Sequence, residues 1–198
     1  ELLKIAGFKR AILAREMTLS EISRITSKNI MDIEIFGHGS QCYSYSGQCY
    51  FSSFVGERSG NRGRCPQPCR MKYDLLKEKK YDDNNNTLVE GKDYSNKKAE
   101  VIKNNCYFLS KNDLNSIYFL PQIIKSGIKA LKIEGRMKTP EYVGIVTKIY
   151  RKYIDLHNKN PEKYFIEKDD IYKLKQIFSR EFSEGYFKEE YPKNIVSL

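Results

Sequence analysis

Residues 128–143 read IKALKIEGRMKTPEYV. The first seven, IKALKIE, have the make-up of a buried strand. After the turn residues Gly135–Lys138, Thr139 has the side chain of a helix cap. Pro140 follows at the first helical position, where its missing N–H leaves no bond unmade. The helix then runs through Val143, Val146 and Ile149 toward Leu156, three and seven residues apart on one face. A strand followed at once by a capped helix is one β/α unit.

The same unit recurs along the chain. Residues 10–16, RAILARE, read as a strand. Thr18 and Glu21 then form a capping box, with Ile22 and Ile25 on one helical face. Residues 31–36, MDIEIF, read as the next strand, ending at Gly37-His38-Gly39. YFLS at 107–110 is a further predicted strand, and NDLNSIYFLPQIIKSG a helix or a broken pair of helices, with Pro121 interrupting it and Gly127 closing it. A last helix is predicted near 168–180. About four units of this kind predict parallel β/α packing.

A closed eight-fold barrel takes about 250 residues. With 198 residues and no initiator methionine, the chain reads as the C-terminal half of a TIM-like (β/α) barrel, an α/β fold. The competing reading is an intact smaller α/β domain, because a half barrel exposes strand edges. The expected divisions are a partial barrel over 1–160 and a C-terminal helical extension over 161–198. Within the barrel fall a Cys-rich insertion at about 40–75 and a mobile, Lys- and Asn-rich loop at about 77–105.

Strand alternation locates the chemistry. In LKIEGR, Lys132, Glu134 and Arg136 share a face and Leu131 and Ile133 take the other. Charges in register on a parallel strand are costly unless they line a polar site. They lie at the strand's C-terminal end, the active face of a β/α barrel. Arg15 and Glu16 end the first strand in the same way, and alternation places Glu34 and His38 together at the end of the second. Structural ion pairing explains any one of these ends; three of them favour a lined cavity. His38, Glu134 and Lys132 are the catalytic candidates. Arg15, Glu34, Arg62, Arg64 and Arg136 are the candidates for substrate binding. His38 also admits a bland reading, as a hydrogen-bonded residue shaping a glycine-flanked turn.

Cys42, Cys49, Cys65 and Cys69 lie within 28 residues, spaced C-x6-C-x15-C-x3-C. Thiols this close, in a chain with no sign of secretion, point to a metal or an iron–sulfur cluster. Five cysteines in all exclude a complete disulfide framework. Zinc is the alternative, although its sites favour paired C-x2-4-C knuckles and Cys42-x6-Cys49 is a loose fit. No HExxH or GxSxG motif is present.

The formal net charge is +10 and the pI about 9.2. That surplus suggests a polyanion such as RNA, against the plainer account that lysines solvate helix faces. No apolar run approaches the roughly 20 residues of a membrane helix, and no signal peptide is visible, so the expected location is the cytoplasm without membrane attachment.

Three blocks, EIFGHGSQCYSYSGQCYFSS, SGNRGRCPQPCRMKY and LKIEGRMKTPEYV, resemble the signatures of the collagenase-like peptidase family of unknown catalytic type, the peptidase U32 family. The similarity runs from about residue 7 to about residue 187. It implies that an amino-terminal half of the barrel is absent here. It also implies an oxygen-independent hydroxylation protein carrying a [4Fe–4S] cluster, acting on a tRNA wobble uridine or a cytidine of large-subunit ribosomal RNA, with prephenate as oxygen donor. The family name implies a peptidase instead, and a truncated, non-catalytic RNA-binding fragment is a third reading. By position, the resemblance makes Cys42, Cys49 and Cys65 cluster ligands. Cys69 is the fourth, with Cys106 as the alternative.

Overall fold

The computed structural model describes residues 1–78, 99–177 and 180–188. In chain order its elements are α1 (Leu2–Ile5), β1 (Arg10–Ile12), α2 (Leu19–Thr26), β2 (Asp32–Gly39), α3 (Phe51–Gly56), β3 (Tyr73–Glu78), β4 (Ala99–Cys106), β5 (Asp113–Asn115), α4 (Leu120–Lys125), β6 (Ala130–Ile133), α5 (Pro140–Lys159), α6 (Lys168–Ile177) and β7 (Phe182–Ser183). They form two compact units, Glu1–Tyr50 with Lys111–Ser197, and Phe51–Ser110.

The first unit is a mixed α/β layer. Strand β2 pairs in parallel with β1 and with β6, and antiparallel with β5, which in turn runs parallel to β7. Two clusters of apolar side chains pack against this sheet. Ile33, Ile35 and Leu114 pack with Ile22 of α2 and Ile123 of α4. Leu131 and Ile133 pack with Tyr142, Val146, Ile149, Tyr150 and Tyr153 of α5 and Leu174 of α6. Burying a large apolar side chain contributes about 1.5–3 kcal/mol, so these clusters fix the layer.

The helix starts follow the local chemistry. Thr18 accepts from the Glu21 amide while the Glu21 carboxylate accepts from the Thr18 amide, a complete capping box. The Thr139 hydroxyl accepts from the Tyr142 amide, with Pro140 in the first turn of α5. Gly127 follows α4 at φ +81°.

Three expectations shift. Tyr107–Ser110 form a turn, closed by the Ser110 amide on the Tyr107 carbonyl at 3.1 Å, rather than a strand. The strand comes later, at Asp113–Asn115, inside the stretch read as helix. Its polar side chains hide it, because they are used within the sheet rather than in solvent. Residues 161–188 belong to the first unit: α6 packs on α5 and β7 joins β5. The ends of the segment read as a mobile loop, 77–105, lie in β3 and β4; residues 79–98 and 189–198 fall outside the described residues.

The decisive irregularity is in β2. Phe36 is opposite Lys132, but His38 is opposite Ile133, so Gly37 is an unmatched residue and a bulge. The Gly37 carbonyl accepts from the Ser116 amide at 3.1 Å, and the His38 carbonyl from the Glu134 amide at 2.8 Å. The chain recovers at Gly39, with φ +106°.

In the second unit, β3 and β4 form an antiparallel ladder with Tyr73 opposite Cys106. The Tyr73 hydroxyl donates to the Pro68 carbonyl at 2.9 Å, and its ring meets Phe51 of α3 at 6.1 Å. Arg70 donates to the Ser110 hydroxyl at 3.1 Å.

A methyl group at Gly39 would stand 2.7 Å from the Glu134 carbonyl oxygen, on top of the left-handed backbone. Gly39→Ala is expected to lower unfolding free energy by about 2–4 kcal/mol. Gly47→Ala, at φ +76° with nothing within 4 Å, is expected to cost about 1 kcal/mol. Urea midpoints of the two variants check the difference.

Candidate functional site

The bulge divides the expected site into two. Before it, Glu34 is in register with Ala130 and Phe36 with Lys132, so Glu34, Phe36 and Lys132 share one face. The Arg15 guanidinium carbon lies 5.6 Å from the Phe36 ring centroid and the Lys132 ammonium 5.4 Å from it. Each contact is attractive because the ring face is electronegative. The nearby carboxylates are engaged elsewhere. Glu34, its side chain 16% exposed, pairs with Arg10 at 3.3 Å, and Asp32 lies 3.9 Å from the same guanidinium. Glu134 accepts from the Arg136 amide at 2.9 Å, while Arg136 itself is exposed.

Ser46 ties the Cys42–Cys49 loop to this face. Its amide and hydroxyl donate to Glu16 Oε1 at 2.8 and 3.1 Å, and its hydroxyl accepts from Arg15 Nε at 3.3 Å. Arg15 and Glu16, expected at the end of the first strand but lying in the turn after β1, thus hold the loop between the two thiols.

After the bulge the faces exchange. His38 shares the side of Ile133, not that of Glu34, and alternation fails here because it assumes one residue per step. The imidazole is 1% exposed, packed edge-on against Tyr150 and Phe182. Its Nδ1 lies 3.1 Å from Tyr150 Oη. That phenol accepts from the Ser116 amide at 3.0 Å and has the Gly37 carbonyl and Asn115 Oδ1 as acceptors at 3.0 and 3.1 Å. Its single hydrogen goes to one acceptor, and the imidazole tautomer sets whether Nδ1 of His38 donates to Oη or accepts from it. Nε2 is buried and without a hydrogen-bond partner among the described residues. Burial above all, and then the charge of Lys138, lowers the His38 pKa to about 4 against an opposing hydrogen bond to Asn115. His38 faces α5, neutral at pH 7, and Glu34 and Lys132 do not share its surroundings.

Residues that alternation did not single out complete this buried network. Asp113, 1% exposed, pairs with Arg180 at 3.4 Å, and Arg180 also reaches Ser40 at 3.5 Å. Asn115 lies opposite His38 and on its face. Burial raises the pKa of Tyr150, and of Tyr142 with help from the charges of Asp113 and Glu134. The available signal was NDLN at 112–115, an alternating polar pattern read as helix.

All five cysteines are free thiols. Cys42 and Cys49 belong to the first unit, and Cys65, Cys69 and Cys106 to the second, with the exposed Arg62 and Arg64. Cys65 Sγ accepts from the Gln67 amide at 3.3 Å, while the Cys106 thiol donates to the Asn104 carbonyl at 3.0 Å. Burial, and then the charge of Cys69, raises the Tyr73 pKa. Thiolate donors suit an iron–sulfur cluster. Among the described residues, no three His, Cys, Asp or Glu side chains are grouped to hold a metal.

The family model for peptidase family U32 matches residues 1–196. The chain is 36% identical over 184 residues to the tRNA hydroxylation protein P1 of Bacillus subtilis, covering 93% of this chain and 40% of that protein. It is 35% identical over 149 residues to the 23S rRNA 5-hydroxycytidine C2501 synthase of Escherichia coli, covering 75% and 20%. It is 31% identical over 188 residues to a collagenase of Porphyromonas gingivalis, covering 89% and 41%. The chain thus spans about two fifths or less of the length of these relatives. No solved structure gives a significant match. Among the described residues, no helix is long and apolar enough to cross a membrane.

Because an unfolded histidine titrates near 6.5 and His38 near 4, the unfolded chain binds a proton that the folded chain refuses between those values. Stability is therefore expected to fall as pH drops from about 6.5 to 4, by up to about 3 kcal/mol. His38→Gln is expected to be weaker at pH 7 and to lose this increment. Carboxylates titrate in both proteins, so the difference between their urea midpoints at pH 7 and 4.5 isolates His38.

Proposed function

Because this chain belongs to peptidase family U32, we propose that it is the thiol-bearing part of an RNA-hydroxylating protein. The observation that carries this reading is its 36% identity over 93% of its length to a protein named for tRNA hydroxylation. The second RNA-named relative, the 23S rRNA 5-hydroxycytidine synthase, supports the same class of substrate. The +10 charge suits a polyanion, whose binding would weaken steeply with salt. The cytoplasm, where such RNA is found, is the proposed location.

The parallel pairing of β1, β2 and β6 supports the proposed C-terminal half of a (β/α) barrel, with the Phe36 face turned to its interior. An amino-terminal half would complete it. Lys132 and Glu134 are then placed to handle charge and protons, Arg15 and Glu34 to line the cavity, and Arg62, Arg64 and Arg136 to meet phosphate or carboxylate. His38 has no proton-donating role here; it holds the strand end against α5. Prephenate is the proposed oxygen donor.

A [4Fe–4S] cluster, supplying electron transfer or an open iron, is proposed on Cys42, Cys49, Cys65 and Cys69. Its support is the thiol spacing and the family. Cys69 is proposed over Cys106 because three residues of separation from Cys65 let one turn offer both thiols. The collagenase-named relative gives a second reading, peptidase activity. Against it, neither histidine is hydrogen-bonded to a cysteine or serine side chain among the described residues.

Anaerobic purification is expected to give a brown protein with about four irons and four sulfides per chain. Cys69→Ser is expected to empty the site and Cys106→Ser to leave it filled. A colourless zinc protein would end the cluster assignment. Hydrolysis of gelatin, abolished by a single cysteine replacement, would favour the peptidase. Nucleoside mass spectrometry of tRNA and ribosomal RNA, after co-expression with an amino-terminal half in cells lacking their own copies, tests the RNA reading.

A further inference from the structure

We infer that Arg15 and Lys132, held on either reach of the Phe36 ring, form a seat for a small anion bearing carboxylate or phosphate groups. Both cations lie on one face of the sheet, and both are partly buried. The Arg15 guanidinium carbon lies 5.6 Å and the Lys132 ammonium 5.4 Å from the same ring centroid. Two like charges gathered around one ring add their fields, so the arrangement favours an anion beside them.

The protein supplies no such anion from its described residues. Arg10 holds Glu34 and Asp32, Ser46 occupies Glu16 Oε1, and the Arg136 amide occupies a Glu134 oxygen. Neither Arg15 nor Lys132 has a carboxylate within ion-pair distance among the described residues. Arg15 is also aimed. Its Nε is committed to the Ser46 hydroxyl, which leaves the four Nη hydrogens as the fork that grips a carboxylate or phosphate. Lys132 adds a compact second charge, and Phe36 keeps both stems in place. A dicarboxylate can give one group to each cation; a phosphate can give two oxygens to Arg15 and its remaining charge to Lys132.

This names the ligand class of the face discussed above and rests on that reading only for the reaction the ligand would enter. The measurement needs no turnover. The full chain, labelled with nitrogen-15 at arginine and lysine, is titrated separately with malonate and with inorganic phosphate while side-chain resonances are followed. A saturable shift of Arg15 Nε is expected. Arg15→Gln and Lys132→Met are expected to weaken binding at least fivefold each, and together to remove it. Phe36→Leu is expected to weaken it two- to threefold by freeing both stems. Arg15→Lys, which keeps the charge without the fork, falls between parent and Arg15→Gln. Lys125→Gln, exposed at the end of α4, leaves affinity unchanged.

Tighter malonate binding assigns the seat to a small acid, and tighter phosphate binding to a phosphorylated ligand. Equal affinity in the parent and the doubly substituted chain overturns the seat, as does the lack of a saturable response to both probes. If the seat binds but no hydroxylated nucleoside forms, the RNA reading fails and the seat stands; the opposite pair of results has the opposite meaning.

Discussion

One unmatched residue, Gly37, decides which side chains meet. Up to Phe36 the parallel ladder between β2 and β6 advances one residue for one; at Gly37 it does not, and His38 comes level with Ile133. A bulge leaves a peptide without its ladder partners, and a buried peptide needs them. Here the Ser116 amide and the Tyr150 hydroxyl both reach the Gly37 carbonyl. The residue itself fits because any Cβ would press on Leu131 Cδ2 at 3.0 Å. Sheet and helix α5 therefore fix the irregularity together.

Two kinds of polar environment result. On the α5 side, Tyr150 is the hub of a buried, nearly satisfied network in which each lost partner costs about 1–3 kcal/mol. Such a network is rigid, and His38 is kept neutral within it. On the opposite side, Arg15 and Lys132 are held mainly by an aromatic ring, at about 0.5–2 kcal/mol each. Interactions of that size position a side chain without locking it. The first arrangement suits a structural joint, the second a surface that accepts a ligand.

The local signals in the sequence translated directly. Thr18 with Glu21, and Thr139 with Pro140, cap the helices they announce, because capping depends on residues within one turn. Lys132 lies where alternation puts it. His38 does not, because a bulge is a relation between two strands and leaves no mark in one of them. Asp113 and Asn115 were hidden for a similar reason: their polarity is satisfied by Arg180 and Tyr150, distant in sequence, so a buried strand wore the composition of a helix cap. The thiols were legible as a group in sequence, but spacing says nothing of how a chain divides into compact units.

Ser46 links two of these themes. Its hydroxyl has one hydrogen, which goes to Glu16, so it meets Arg15 as an acceptor. The Cys42–Cys49 loop is thereby fixed through a carboxylate and a guanidinium of adjacent residues in the turn after β1. An anion gripped by the free fork of Arg15 would leave Nε on Ser46 and narrow the side chain's freedom, so it would tighten the loop's anchor rather than compete with it. Any free energy by which the anchored loop favours the bound anion must return as a stabilisation of the loop by the anion. With an anion in that seat, the order of the thiol loop and the occupancy of the Phe36 face would be linked through the Ser46 hydroxyl.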